Sequence, residues 1–438
     1  MKYRLGDICT ITKGETGIMK AIPGAYTMVA LGEANKTHNE FQFDTKAVIV
    51  PLVSSTGHGH ASMKRVKYQE GKFALGSILC AVIPKDEKVI LAKYLHIYLH
   101  WNREELLVSQ MKGMANVSLP MNKIADVIVI VPSIEKQKEI IDLEKKLVER
   151  ELEADKLFAD QLTQLENLNQ AILQEAVQGK LVKQDKKDEP ANELLKRIKA
   201  EKDNLIKNKK LKAGKSTEKP ISYIDQYEIP LSWAWCKTDE VFFITKLAGF
   251  EYSEHFNLKE IGEIPVVRAQ NIRPLNIKKT NLRYIDKSTS ILLDRCSLTK
   301  KCLLVTFIGG IGDVATFEEK ERWHLAPNVA KMEPFINCEE FIDVKLINYF
   351  LMSKIGQKEI FKHIKGTAQP CLSMGTIRDI DIPIPPLSEQ KRIVAEIEKK
   401  FAKTKQLKEH IIANQQATEQ LLKALLHQAF EVEEMEEV

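Results

Sequence analysis

Arginine, glutamine and asparagine cluster at Arg268, Gln270, Asn271 and Arg273, with Lys278 and Lys279 just beyond. Arg, Gln and Asn can bond bidentately to guanine and adenine edges, and Lys neutralises phosphate. Basic and polar groups recur at Lys64, Arg65 and Lys112 in the first half, and at Arg322, His324, Lys362 and Lys365 in the second. The turn-like Ser54-Ser55-Thr56-Gly57-His58-Gly59-His60 adds Ser55, Thr56, His58 and His60 as a DNA-facing tip. Each cluster alone also reads as a solvated face or a polar turn. Recurrence in both halves is what favours nucleic acid.

Other chemistries find less support. His58 and His60 would begin a metal site, but no third ligand sits at a zinc spacing, so no metal is expected. Gly214-Lys215-Ser216 ends like a phosphate-binding loop, yet the required earlier glycine is Lys209 and Pro220 follows. Gly309, Gly310 and Gly312 follow a strand-like run without matching a dinucleotide fingerprint. They read as a tight turn, with close backbone approach to a DNA phosphate as the functional version. No nucleophile elbow, zinc-protease motif or amino-methyltransferase motif occurs, so no catalytic residue is assigned. An enzyme with unrecognised motifs, a nuclease or a methyltransferase, stays open, as does a coiled-coil interaction protein without a DNA role.

The elements that would carry these clusters are written twice. Gly113, Ala115, Leu119, Ile124, Asp126, Val129, Pro132, Gln137, Lys138 and Ile140 reappear 253 positions later as Gly366, Ala368, Leu372, Ile377, Asp379, Ile382, Pro385, Gln390, Lys391 and Ile393. A period this long is a domain plus a helix, not a solenoid unit. Ile8–Lys13 is answered by Val241–Lys246 at an offset of 233, so the second domain should be about twenty residues longer. Residues 1–133 read as one mixed domain: Ala47–Val53 as a buried strand, Gly71–Ile83 as a turn and a strand, and Lys93–Leu107 as a helix. Residues 134–219 read as a long helix and a charged, lysine-rich linker, 220–386 as the second domain, 387–430 as the second long helix, and 431–438 as an acidic, solvated tail.

Each long helix starts at a serine cap, Ser133 or Ser388, and the first stops at Gly179. Each would be roughly 65 Å long. Ile140, Leu147, Phe158, Leu165 and Ile172 form the apolar seam of the first, with Leu143 between. Ile397, Phe401, Ile411, Leu422 and Leu425 form that of the second, with Leu407 between. Stripes this narrow hide most simply against each other. The expected fold is α+β: two mixed α/β domains separated by two long helices packed as an antiparallel coiled coil.

Hydrophobic content of 44%, charged content of 29% and a net charge of +5 fit a protein of two or three ordinary domains, permitting nucleic-acid binding without demanding it. No apolar run is long enough for a membrane span, the start lacks a signal-peptide core, and seven cysteines show no disulfide framework. A cytoplasmic location is expected.

Several motifs carry a resemblance. Gln174-Glu175-Ala176-Val177-Gln178-Gly179-Lys180-Leu181-Val182, Asp188-Glu189-Pro190-Ala191 and Leu194–Lys202 form a distinctive spacer. Ile229-Pro230, followed by Trp233 and Trp235, opens the second domain, and Pro385-Pro386-Leu387 with Glu389-Gln390 starts the second helix. With these, the chain resembles the specificity subunit of type I restriction–modification systems. The first helix start departs by Lys136 before Gln137, and the N-terminus lacks the Pro-x-x-Trp opener. The resemblance implies a non-catalytic subunit with two target-recognition domains, each reading half of a bipartite site in double-stranded DNA. It implies two methyltransferase subunits and the restriction subunits as partners. S-adenosylmethionine, ATP and Mg2+ would serve those partners, with no cofactor in this chain. Because the domain centres differ, the site should be asymmetric. A heptad inserted near Leu165, with another near Leu422, should lengthen the spacer.

Overall fold

The computed structural model describes residues 1–17, 19–55, 60–113, 117–209, 211, 227–335, 338–362, 364 and 371–431. The chain forms two compact units, Met1–Gln161 with His410–Val438, and Leu162–Glu409. The boundary falls inside both long helices.

In the first unit, Cys9–Lys13, Leu79–Pro84, Ala47–Pro51 and Lys67–Gln69 form one antiparallel sheet in that order. A second sheet runs Lys36–His38, Tyr26–Val29, Lys72–Leu75, Phe43–Asp44, and its central pair is parallel. Lys2–Arg4 pairs with Ile128–Ile130, which leads into the first long helix. Ala47–Pro51 is apolar without alternation because both faces are covered. Val48 and Val50 face the cluster that holds the helix Ala92–Trp101, while Ala47 and Ile49 pack on Val29, Phe73 and Leu75 of the other sheet. The expected single strand in Gly71–Ile83 is two strands in two sheets. The chain changes sheets at Gly76, whose N–H bonds Val29 O while its carbonyl accepts from Leu79 N.

The second unit repeats this plan strand for strand. Phe242–Lys246, Val329–Pro334, Cys302–Thr306 and Val314–Phe317 form the first sheet. Arg283–Ile285, Ile264–Val267, Trp323–Leu325 and Ser297–Leu298 form the second, again with a parallel central pair. Ala234–Lys237 pairs with Asp381–Ile384 ahead of the second long helix. One addition stands out in position. Residues 30–35 link two strands in the first unit, whereas residues 268–282 link their counterparts and hold an extra hairpin, Ile272–Arg273 with Asn276–Ile277.

The long helices run Ile134–Val177 and Leu387–Glu431. Ser133 caps the first by accepting from Lys136 N at 3.2 Å, whereas the second already begins at Leu387, so the expected cap Ser388 lies inside the helix. Within the first unit, Ile140 and Leu147 join the cluster of Leu422, Leu426 and Phe430, and Gln415 donates to Asp155 at 3.0 Å. Within the second, Ile172 packs with Ile393 and Ile397, Phe401 borders that cluster, and the Thr404 hydroxyl donates to Asn169 at 2.8 Å. In each unit one helix number rises as the other falls, so the pairing is antiparallel.

The expected seam needs correction at its end. Leu425 is 37% exposed; the expected Leu422 is buried, and Leu426 and Phe430 are buried in place of Leu425. Steps of four replace alternating threes and fours there, which rotates Leu425 away from the contact. Leu143 and Leu407 are exposed too, and Phe158, Leu165 and Ile411 are half-buried. The acidic tail beyond Glu431 and most of the lysine-rich tract, with Gly214-Lys215-Ser216, lie outside the described residues.

Gly179 closes the first long helix at φ +68, with Lys180 N bonding Glu175 O. A Cβ there would sit 2.8 Å from Pro230 Cδ, nearer still to its Cγ, and 3.2 Å from Trp233 Cζ2. Gly179→Ala should therefore cost about 3 kcal/mol, from left-handed strain plus overpacking. Gly249→Ala, where nothing among the described residues lies within 4 Å, should leave the urea-unfolding midpoint nearly unchanged. Equal midpoints for the two variants would contradict this.

Candidate nucleic-acid interface

In the second unit three loops enclose a cleft of about 610 Å3: residues 268–273, Ile308–Gly310 and Ala326–Asn328. Parallel pairing of Ile264–Val267 with Trp323–Leu325 brings the first and third loops to one edge. The glycine turn has the backbone that only glycine adopts freely, with φ +71, +75 and +85 at Gly309, Gly310 and Gly312. The Thr306 hydroxyl donates to Gly310 O, and Gly312 N bonds Thr306 O at 3.1 Å. Among the described residues, nothing beyond its chain neighbours lies within 4 Å of a Cβ at Gly309, and Gly309 is exposed.

The donors on this cleft are unequal. Gln270 is exposed and makes no hydrogen bond among the described residues. Arg273 is exposed and gives one N–H to Ile272 O at 2.7 Å, leaving most of its fork unused. Arg268 gives Nη2 to Asn281 O at 2.6 Å, while its buried Nε has no partner among the described residues. Burial raises the Asp313 carboxyl above its ordinary range, against the opposing pull of Arg273. Lys278 is exposed beside the hairpin, and Lys279 pairs with Glu319 at 2.8 Å.

Three expected contacts turn inward. Asn271 is 1% exposed; its amide donates to Lys278 O and Thr280 O and its oxygen accepts from Arg268 N, so it holds the loop's shape. His324 is fully buried with its ring nitrogens at Leu325 O and Leu293 O, and burial lowers its pKa. Arg322 is spent on Ser290 and Asp294. Lys362 lies elsewhere, 3.9 Å from Glu359, in a separate cleft with Tyr227 and Trp235. Lys365 is outside the described residues, as are Thr56 and His58.

The first unit builds the corresponding edge from residues 30–35, 52–55 and 60–66, which occupy the same places in the strand order as 268–282 and 307–313. Ser55 Oγ accepts from Lys64 N at 3.2 Å, and Ser54 N bonds Val117 O, next to the Lys112–Ser118 bridge. Ser55, Lys64 and Lys112 therefore share one region, with His60 O bonded by Ser54 Oγ. Arg65 pairs with Glu33 at 3.3 Å. Lys67 turns inward: its ammonium donates to Ala30 O, Gly32 O and Asn35 Oδ1, and burial lowers its pKa. His96 and His100 fix this segment from below, both at Val66 O, and His100 Nδ1 also lies 3.3 Å from Val66 N.

Sequence reading missed Tyr252 and Asn328 on the cleft, since segments this far apart in the chain meet only through the parallel pair. Among the described residues no three His, Cys, Asp or Glu side chains gather as metal ligands. No helix among them is long and apolar enough to cross a membrane.

A family model for the type I restriction modification DNA specificity domain matches residues 1–164 and 230–414. The chain belongs to this family. The type I specificity-domain model thus covers both copies of the repeat. The chain is similar to the Escherichia coli type I restriction enzyme EcoEI specificity subunit, 29% identical over 62% of this chain and 46% of the relative. The EcoAI specificity subunit of Escherichia coli is 28% identical over 58% of this chain and 42% of the relative. The chain spans about half the length of these curated relatives. A solved structure, from work on complex assembly and conformational transition of a type I R-M system, covers 98% of this chain and 97% of its own. Its TM-score is 0.64 at 15% identity, a likeness of fold.

Proposed function

We propose that this chain is a non-catalytic DNA-sequence-specificity subunit of a type I restriction–modification complex. It reads an asymmetric, bipartite site in double-stranded DNA, one half with each recognition unit. It scaffolds two adenine-N6 methyltransferase subunits and the ATP-dependent restriction subunits, in the cytoplasm. S-adenosylmethionine, ATP and Mg2+ serve those partners as substrates and cofactors. The observation carrying the reading is the repeated edge: equivalent loops in both units hold polar and basic groups, and the loops differ between units. Free amide and guanidinium donors at Gln270 and Arg273 suit base edges, and the exposed peptide at Gly309 suits a phosphate.

The test is to assemble the chain with its methyltransferase subunits and map N6-methyladenine. Two unlike half-sites at fixed spacing are expected, with binding that weakens steeply with salt. Methylation by this chain alone would overturn the reading. Gln270→Ala should relax one base position of one half-site by about tenfold to a hundredfold in discrimination and leave the other half-site unchanged. Uniform weakening across all sequences would instead assign Gln270 to the backbone.

A further inference from the structure

Gln137 and Gln390 hold the same place in the repeat, on the first turn of each long helix, and both are fully buried. Gln137 Oε1 accepts from Leu91 N at 2.8 Å, and its Nε2 donates to Val89 O and Pro132 O at 2.9 Å each. Gln390 Oε1 accepts from Asp343 N at 2.8 Å, and its Nε2 donates to Pro385 O at 2.9 Å and Phe341 O at 3.5 Å. The contacted residues are equivalent. Val89 and Leu91 lead into the domain helix Ala92–Trp101, and Phe341 and Asp343 lead into Val344–Met352. Pro132 and Pro385 follow the strands Ile128–Ile130 and Asp381–Ile384.

One carboxamide thus ties the domain helix, the last strand and the first turn of the long helix. It has one acceptor and two donors to give, which matches one N–H and two carbonyls. Glutamate would lack the donors, lysine the acceptor, and methionine both. Any replacement strands buried backbone groups.

We infer that Gln137 and Gln390 are positioning residues that fix the direction in which each recognition domain leaves its helix, and so how strictly the half-sites must be spaced. This rests on the function proposed above. The two joints are not equally braced. Glu389 is 1% exposed and accepts from Gln184 at 2.6 Å, and Arg392 pairs with Asp188 at 2.6 Å, so the linker grips the second joint. Lys136 takes the place of Glu389 in the first copy and pairs with Glu139 on the surface. The first joint depends more on its glutamine.

The experiment compares Gln137→Met, Gln390→Met and wild type in the complex with methyltransferase subunits. N6-methyladenine is read on a library in which the spacer varies around the natural length. Both variants should raise methylation at spacers one base pair off, relative to the natural spacer, Gln137→Met by about tenfold and Gln390→Met by less. The half-site sequences should not change. Ile49→Val, a core change away from the joints, controls for lost stability: it should lower total methylation without altering the ratio. An unchanged spacer ratio in Gln137→Met, with methylation either kept or lowered as in Ile49→Val, overturns the inference. Wild type that methylates no paired half-sites would defeat the functional reading instead.

Discussion

Acidification from about pH 7 to about pH 5 should cost the first unit about 4 kcal/mol, because two histidines are buried in their neutral form. Burial lowers His96 to about 3, helped by Lys93 and His100, against the Val66 carbonyl that raises it. Burial lowers His100 to about 4, with Arg103 adding to the effect. Both folded values lie below the ordinary 6.5, so the unfolded chain binds more protons throughout the interval between them. Their contribution is fully present above the unfolded value and is lost as pH falls toward the folded ones. At about pH 5 each histidine gives up about 2 kcal/mol. Buried carboxylates act in the opposite sense. Burial raises Glu144 and Glu151, so each favours the fold as pH falls through its raised value and offsets part of the histidine loss. Urea unfolding at the two pH values should show the loss in wild type. His96→Gln and His100→Asn, which keep polar atoms near Val66, should each remove about half of it. A stability flat across this range in wild type would disprove the assignment. The consequence reaches the proposed interface, since Val66 lies between Arg65 and Lys67 and both histidines hold its carbonyl.

The architecture was legible where the signal is periodic. Two helices free of proline and glycine stand out by their apolar periodicity, and the echo at 253 residues exposes the duplication. Side-chain roles were less legible because they depend on where a strand's faces end up. Asn271 and His324 have residue types suited to DNA, yet one closes a turn and the other fills a core. Parallel pairing far along the chain sets the place of His324, whereas Asn271 is turned in by its own loop, at Lys278 and Thr280. Leu425 fails for another reason: a strict heptad was assumed where contacts recur every fourth residue. Gln137 and Gln390 were visible in the repeat, but a glutamine among charged neighbours gives no hint that it is buried or of its partners.

Lengthening both helices in register should move the half-sites apart, and the helix pairing decides where the insertions belong. In the second unit Asn169 faces Thr404, so Leu165, four residues earlier, faces the region of Lys408. In the first unit Asp155 faces Gln415, so Leu422, seven residues later, faces the region of Val148. Insertions near Leu165 and Leu422, as the sequence suggested, would leave the intervening segments a heptad out of register and break the Asp155–Gln415 contact. Seven residues after Leu165 matched by seven after Lys408 keep both contacts. At 1.5 Å per residue this adds about 10 Å, or roughly three base pairs of DNA. Methylation at the natural site should be lost and should reappear at sites with the same half-sites and a spacer about three base pairs longer. The mismatched pair of insertions should lower thermal stability and yield no defined spacer. If the matched variant folds, assembles and still methylates at the original spacing, the helices do not set the distance.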